Sequence, residues 1–237
     1  MPQLPGVDIE LNQVSDAQPH LSAPQRGGRS IITCSTVYKE GIILLQIRLH
    51  GRGGQGVVTA AEMLSLAAFL EGHYAQAFPS FGSERTGAPV VAYARIADKD
   101  IRTHEPILRP DAVVVQDRTL LTALDVFGGL SDQGFAIINS ADPAEKIVPE
   151  LVKRLPPGHV LTVPATDFAM QKIGRPLPGA PMLAALAAAT DVFRLDSVQK
   201  SFQTRYPGKV GDANADTAAL AYEYIKNETS KKEAVNA

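Results

Sequence analysis

The stretch IILLQIRLHGRGGQGVVTAAEMLSL, Ile42 to Leu66, constrains this chain more than any other. An aliphatic run enters a turn with four glycines in six positions, Gly51 to Gly56, and an alanine-rich helical pattern leaves it. A near-continuous apolar run such as Ile42–Leu49 suits a strand buried on both faces of a parallel sheet. Glycines permit positive φ in the turn, close approach of the backbone to another group, and tight packing of the following helix on the sheet. The stretch therefore predicts a strand–turn–helix unit of a layered α/β domain.

The rest of the chain repeats the alternation. Thr59–Leu70 reads as helix, with apolar positions at Ala60, Met63, Leu64, Ala67 and Ala68. Strands follow at His73–Ala77, Pro89–Ala97, Asp111–Gln116, Phe135–Asn139 and Val160–Pro164, with helices near Leu120–Phe127 and Ala144–Arg154. Met182–Thr190, Ser197–Tyr206 and Ala213–Asn227 are helical, with Asn214 or Asp216 as cap of the last. The expectation is a Rossmann-like layered domain over residues 41–228, with a mainly parallel sheet and a helical C-terminal region. Residues 1–40, rich in Pro, Gly, Ser, Asn and Gln, read as a flexible or peripheral extension with a short strand at Ile31–Val37. Residues 229–237 read as a disordered tail.

Composition narrows the chemistry. The net charge of −2 offers no bulk basic field for nucleic acid. No apolar run approaches the roughly 18 residues that span a bilayer, and the N-terminus lacks the basic and apolar regions of a secretory signal. The expected compartment is the cytoplasm. Cys34 is the only cysteine, too few for an iron–sulfur cluster, and the five histidines show no metal-binding spacing. No metal ligand and no catalytic residue is assigned. Redox chemistry would need a bound organic cofactor or another chain.

Gly51, Gly53 and Gly56 match the spacing of a dinucleotide-binding turn, and the helix start behind them offers free N–H groups to an anion. Arg52 adds a charged donor and Gln55 a neutral one. A dinucleotide site also needs an acid at the end of the second strand, about 20 residues on. That strand reads HYAQAFPS and ends in none, while Glu71 precedes it. An anion-facing or interface-facing loop fits better than a nicotinamide site or a plain crossover turn. His50, just before the loop, either faces a ligand or closes the strand end. Asp117, ending DAVVVQD, either bonds a neighbouring loop or touches a ligand. His104 reads as structural or exposed, and Arg175–Pro178 as an extended connector.

A second loop, AFPSFGSERTGAPV (Ala77–Val90), should emerge beside the first at the carboxyl ends of the strands. It joins a hydroxyl (Ser80), an aromatic (Phe81), an ion-pair candidate (Glu84 with Arg85) and two hinge glycines (Gly82, Gly87).

HGRGGQG followed by YAQAFPSFGSERTGAPVVAYARI closely resembles the gamma subunit of pyruvate:ferredoxin oxidoreductase and related 2-oxoacid:acceptor oxidoreductases. The likeness continues through DAVVVQD, IGRPLPGAPMLAAL and RYPGK, over about residues 43–225. The resemblance implies a subunit, inactive alone, of a complex that converts pyruvate, CoA and oxidised ferredoxin to acetyl-CoA, carbon dioxide and reduced ferredoxin, or the reverse. It implies thiamine diphosphate, Mg2+, [4Fe-4S] clusters and CoA on or with partner subunits. Those partners are a thiamine-binding chain and a ferredoxin-like iron–sulfur chain, with ferredoxin or flavodoxin as acceptor. Consistently, Gly211-Asp212-Ala213 lacks the third glycine of a thiamine diphosphate motif. By the same resemblance Gly51, Arg52, Gly53, Gly54, Gln55 and Gly56, with Ser80, Phe81, Gly82, Glu84, Arg85 and Gly87, form the CoA region or a subunit interface. The alternatives are a gamma-type subunit for 2-oxoglutarate, a branched-chain 2-oxoacid, oxalate or indolepyruvate, a stand-alone nicotinamide-dependent dehydrogenase, or a pure assembly module.

Overall fold

The computed structural model describes residues 38–39, 42–80 and 85–236. A short β1 (Tyr38–Lys39) pairs antiparallel with the start of β2 (Ile42–Arg52). The chain continues through α1 (Val57–Leu70) to β3 (Tyr74–Pro79) and returns along β4 (Pro89–Ala97). Next come β5 (Ala112–Val115), a 3-10 turn (Arg118–Thr122), β6 (Phe135–Asn139), α2 (Ala144–Ile147), α3 (Pro149–Arg154) and β7 (Val160–Val163). Four helices complete the described chain: α4 (Ala165–Lys172), α5 (Gly179–Thr190), α6 (Leu195–Arg205) and α7 (Lys209–Asn236).

The strands lie in the order β3-β4-β2-β5-β6-β7. β2, β3, β5, β6 and β7 share one direction, and β4 alone among these six runs against its neighbours. The expected Rossmann-like α/β layering is therefore present, with one strand reversed. Only residues 80–88 separate β3 from β4, and those described among them are not helical. A parallel partner needs a crossover of about a dozen residues or more, so this short connection can only turn back. The reversal still puts the β3–β4 loop at the carboxyl end of β2.

Side chains alternate across β2. Leu45, Ile47 and Leu49 join α1, α5, α6 and α7 in one apolar core, with Ala92, Ala94 and Ile96 of β4. A second core on the opposite face gathers Val113 and Val115 of β5, Ile138 of β6, and Leu120, Leu151 and Leu155 from the connections. α5 is alanine-rich and almost wholly buried, so it can approach α7 and the sheet closely. Behind α1, Glu71 accepts a hydrogen bond from the Arg194 N–H at 2.6 Å and clips the helix end to the start of α6.

Several elements differ from the sequence reading. The helix expected at Leu120–Phe127 is only the 3-10 turn, because Asp117 caps its start and the chain bends again at Gly129, where φ is 75°. The helix expected over Ala144–Arg154 divides at Val148, which precedes Pro149 and leaves helical geometry. α4 was not anticipated; the Asn139 side chain accepts from the Thr166 N–H at its first turn. α7 begins at Lys209, so neither Asn214 nor Asp216 caps it. It also runs on to Asn236 through the expected disordered tail, a stretch free of glycine and proline. Tyr38 and Lys39, assigned to the peripheral extension, pair with the sheet, while Ile31–Val37 and Cys34 lie outside the described residues.

Leu64 is fully buried in the middle of α1. Leu64→Ala is expected to cost about 2–5 kcal/mol through lost burial and a residual cavity, read as a lower urea midpoint with an unchanged m-value.

Candidate functional site

β2 and β5 are adjacent, parallel, and leave the sheet towards opposite faces, β2 into α1 and β5 into the 3-10 turn. Such a switch point opens a crevice at the carboxyl ends of the strands. Here the crevice is bridged by the protein itself. Arg52 Nε lies 3.3 Å from Asp117 Oδ2, and the Gln55 amide donates to the same oxygen at 2.8 Å. Arg52 also donates to Thr119 Oγ1 from Nη2 at 2.7 Å and to the Gly87 carbonyl from Nη1 at 3.0 Å. Thr119 in turn donates to Asp117 Oδ1 from its N–H and its hydroxyl. Burial would raise the Asp117 pKa, but the bonds from Thr119 and Gln55, with the Arg52 charge, outweigh it and hold the carboxyl below its ordinary value.

The two glycine-bearing loops meet through their backbones. Gly53 N–H donates to Ala88 O at 2.9 Å, and Gly87 N–H donates to Gly53 O at 3.0 Å. Gly53 forms an isolated parallel bridge with Thr86, and a Cβ there would strike the Arg85 carbonyl. Within the first loop, Gln55 Oε1 accepts from Arg52 N–H at 2.8 Å, and Gln55 N–H donates to Arg52 O at 3.0 Å. Gly54 at φ 94° and Gly56 at φ 74° occupy the left-handed region that favours glycine. Gly51 lies under Val57 and the Gln116 side chain, where a Cβ would collide.

Gly56 caps α1 without a side-chain acceptor, so the first N–H groups of this helix keep their anion-binding capacity. They border a cleft of about 290 Å³ lined by Arg52, Gly53, Gly54, Val57, Thr59 and Val90. In the second loop, Ser80 N–H donates to Val91 O, and Arg85 is exposed. Phe81, Gly82 and Glu84 lie outside the described residues, so the Glu84–Arg85 pairing does too.

His50 is buried on the face of β2 that carries Arg48. Its Nε2 accepts from Arg48 Nε at 3.0 Å, which leaves the proton on Nδ1. Arg48 is itself anchored by the Val126 and Gly128 carbonyls. Burial first, then the Arg48 charge, hold the His50 pKa down at about 4. His104 is exposed and lies against Gln76 and the Phe78 ring. Glu71 is committed to Arg194, so the missing ribose-binding acid has no substitute there. Thr119 is the member of the network not anticipated; the Asp117-x-Thr119 spacing of a capped turn was its available signal. Among the described residues no three His, Cys, Asp or Glu side chains gather as a metal would need.

Comparison with known proteins finds similarity over most of the chain. A family profile described as pyruvate ferredoxin/flavodoxin oxidoreductase matches residues 46–224. The pyruvate/ketoisovalerate oxidoreductases common subunit gamma of Pyrococcus furiosus is 44% identical over 180 residues, covering 76% of this chain and 96% of that protein. The pyruvate synthase subunit PorC of Methanothermobacter marburgensis is 45% identical over 184 residues, covering 78% of this chain and 99% of the relative. The crystal structure of a pyruvate oxidoreductase subunit PORC from Thermotoga maritima superposes with a TM-score of 0.63 at 38% identity, over 76% of this chain and 96% of that one.

Two outcomes are expected. An unfolded-state imidazole protonates near pH 6.5, whereas folded His50 protonates at about 4. The unfolded state thus binds more protons in between, so stability is full above that window and falls as pH drops through it. Urea titrations from pH 6.5 to 5 should show a loss of about 2 kcal/mol from this residue, and His50→Gln should flatten it. Gly53→Ala should part the two loops, read as faster tryptic cleavage after Arg85 with little change in the far-UV spectrum.

Proposed function

This chain belongs to the pyruvate ferredoxin/flavodoxin oxidoreductase family, and from that premise we propose that it is the gamma subunit of a multisubunit 2-oxoacid:ferredoxin oxidoreductase with pyruvate as substrate. The complex would take pyruvate, CoA and oxidised ferredoxin to acetyl-CoA, carbon dioxide and reduced ferredoxin, or run in reverse. The observation that carries this reading is the 44–46% identity to gamma and PorC subunits over nearly their whole length.

The residues of this chain do not suit the electron-carrying groups. One cysteine cannot ligate a cluster, and the described residues offer no metal-binding group of acids and histidines. Thiamine diphosphate, Mg2+ and iron–sulfur clusters are assigned to a thiamine-binding chain and a ferredoxin-like chain, with ferredoxin or flavodoxin as acceptor. This subunit contributes a shaped surface. We assign the loops Gly51–Gly56 and Ser80–Gly87 to the region where CoA enters beside the partner subunits. Uncapped N–H groups at the start of α1 suit a phosphate group. Arg52 acts by fastening the loops to Asp117 and Thr119, because its donors are turned onto protein acceptors.

The nicotinamide alternative is disfavoured by the same contacts, since Arg52 and Asp117 bridge the crevice a dinucleotide would use.

A tagged pull-down from native cells, with mass spectrometry and a CoA-dependent pyruvate:viologen assay, tests the assignment. Recovery of a thiamine-binding chain and a cysteine-rich chain with activity is expected; a lone chain that binds NADH would refute it. In the purified complex, Arg52→Ala should raise the CoA KM by about tenfold or less with kcat nearly unchanged. Loss of assembly instead would assign the loops to the subunit interface.

A further inference from the structure

β3 is the last strand on its side of the sheet, and among the described residues nothing pairs with its outer side. The ladder to β4 shows which of its groups are left over. Ser80 N–H donates to Val91 O at 2.8 Å, directly across from it. Hydrogen-bonded pairs recur at every second residue of an antiparallel ladder, so Phe78, Gln76 and Tyr74 also bond β4. The N–H and C=O groups of Ala75 and Ala77 therefore point outwards, as does the Pro79 carbonyl.

Exposed sheet edges are normally protected by charges, bulges or a cover. This strand reads YAQAFP and carries no charge, and Pro79 blocks pairing only at its end. Apolar surface flanks it. Tyr74 is 52% exposed, and Phe69, near the end of the helix α1 that packs on β3, is 69% exposed.

We propose that the free edge of β3 binds the same edge of a second copy of this chain, antiparallel about a two-fold axis. One register uses every outward group of both alanines. With Ala75 facing Ala77 of the second copy, and the reverse, four backbone hydrogen bonds form and Gln76 meets its own counterpart on the axis. A shift by two residues in one direction calls on Pro79, which has no N–H. A shift in the other calls on His73, whose N–H already donates to Ala68 O. The favoured register also sets Tyr74 against Phe78 of the second copy, on the face where Phe78 packs on Tyr93 at 5.3 Å between ring centres. The edge is thus complementary to itself in backbone groups and in aromatic pairs, and no like charges meet along it.

Sedimentation velocity of the full 237-residue chain tests the proposal. A reversible monomer–dimer equilibrium is expected, with a Kd on the order of 10 μM for so short an edge. Tyr74→Lys should weaken it at least about tenfold and leave the urea midpoint unchanged, because Tyr74 is exposed. The register has its own readout in a Cys34→Ser background. Gln76→Cys should cross-link to its counterpart under diamide, because facing residues on the axis form a non-hydrogen-bonded pair with Cα atoms about 4.5 Å apart. Tyr74→Cys should not, because it faces position 78 of the second copy. A chain that stays monomeric at about 100 μM, a Tyr74→Lys variant that dimerises like wild type, or equal cross-linking at the two positions would each overturn the assignment. Protection of the Ala77 amide from hydrogen exchange that does not change with concentration would also overturn it, giving the edge to another segment of the same chain. None of these outcomes bears on the subunit assignment, which the pull-down decides.

Discussion

Arg52 is the last residue of β2, and its guanidinium ties together segments adjoining two other strands. It meets Asp117 and Thr119 just beyond β5, and the Gly87 carbonyl just before β4. Each contact is modest, but all converge on one planar group whose fixed donor geometry limits how far any loop can drift. The reversed β4 makes this possible. Because β4 lies directly beside β2, the chain that leaves β3 must come back across the end of β2, and residues Arg85–Ala88 arrive next to the glycine turn. A crossover helix in the same position would have carried that loop away.

The consequence for function is a division of labour within the surface. Arg52, Asp117, Thr119 and Gln55 hold the loops, while the open N–H groups of α1 remain free to meet something else. Gly56 shapes both regions around this helix start: its left-handed conformation turns the chain into α1 without placing a capping oxygen over the amides. The surface thus pairs a fastened set of loops with exposed positive potential at the start of α1.

Much of this was readable in the residues. The apolar run into Gly51–Gly56, the buried face of α1, and the β5 and β6 strands carry strong periodic signals. The direction of β4 was hidden because PVVAYARIA alternates in the same way whichever way it runs, and only the short connection before it argued for a return. The division at Pro149 had a local cause in plain view, whereas α4 depends on Asn139 from a distant strand. The pairing of the two loops was implied by their positions at strand ends. The role of Arg52 was not, because Thr119 and Gly87 lie 67 and 35 residues away in sequence. A charged side chain in a glycine loop looks the same from sequence whether it grips a ligand or its own fold. Asn214 raised a similar ambiguity: it resembled a cap and proved to lie one turn inside α7.

Opposite α1, the sheet face over β2 and β4 is polar, and the segment covering it is fastened by Arg48 and Arg95. Arg48 donates to the carbonyls of Ile107, Val126 and Gly128, and Arg95 to those of Thr103 and Glu105. These anchors engage backbone dipoles at short range. Mobile ions weaken attraction between exposed charges over a Debye length of about 10 Å at 0.1 M salt, but they do little to a desolvated cation seated among carbonyls. The covering segment should therefore hold its place across a wide range of ionic strength, while the surface pairs Arg118–Asp142 and Lys146–Asp142 loosen around it.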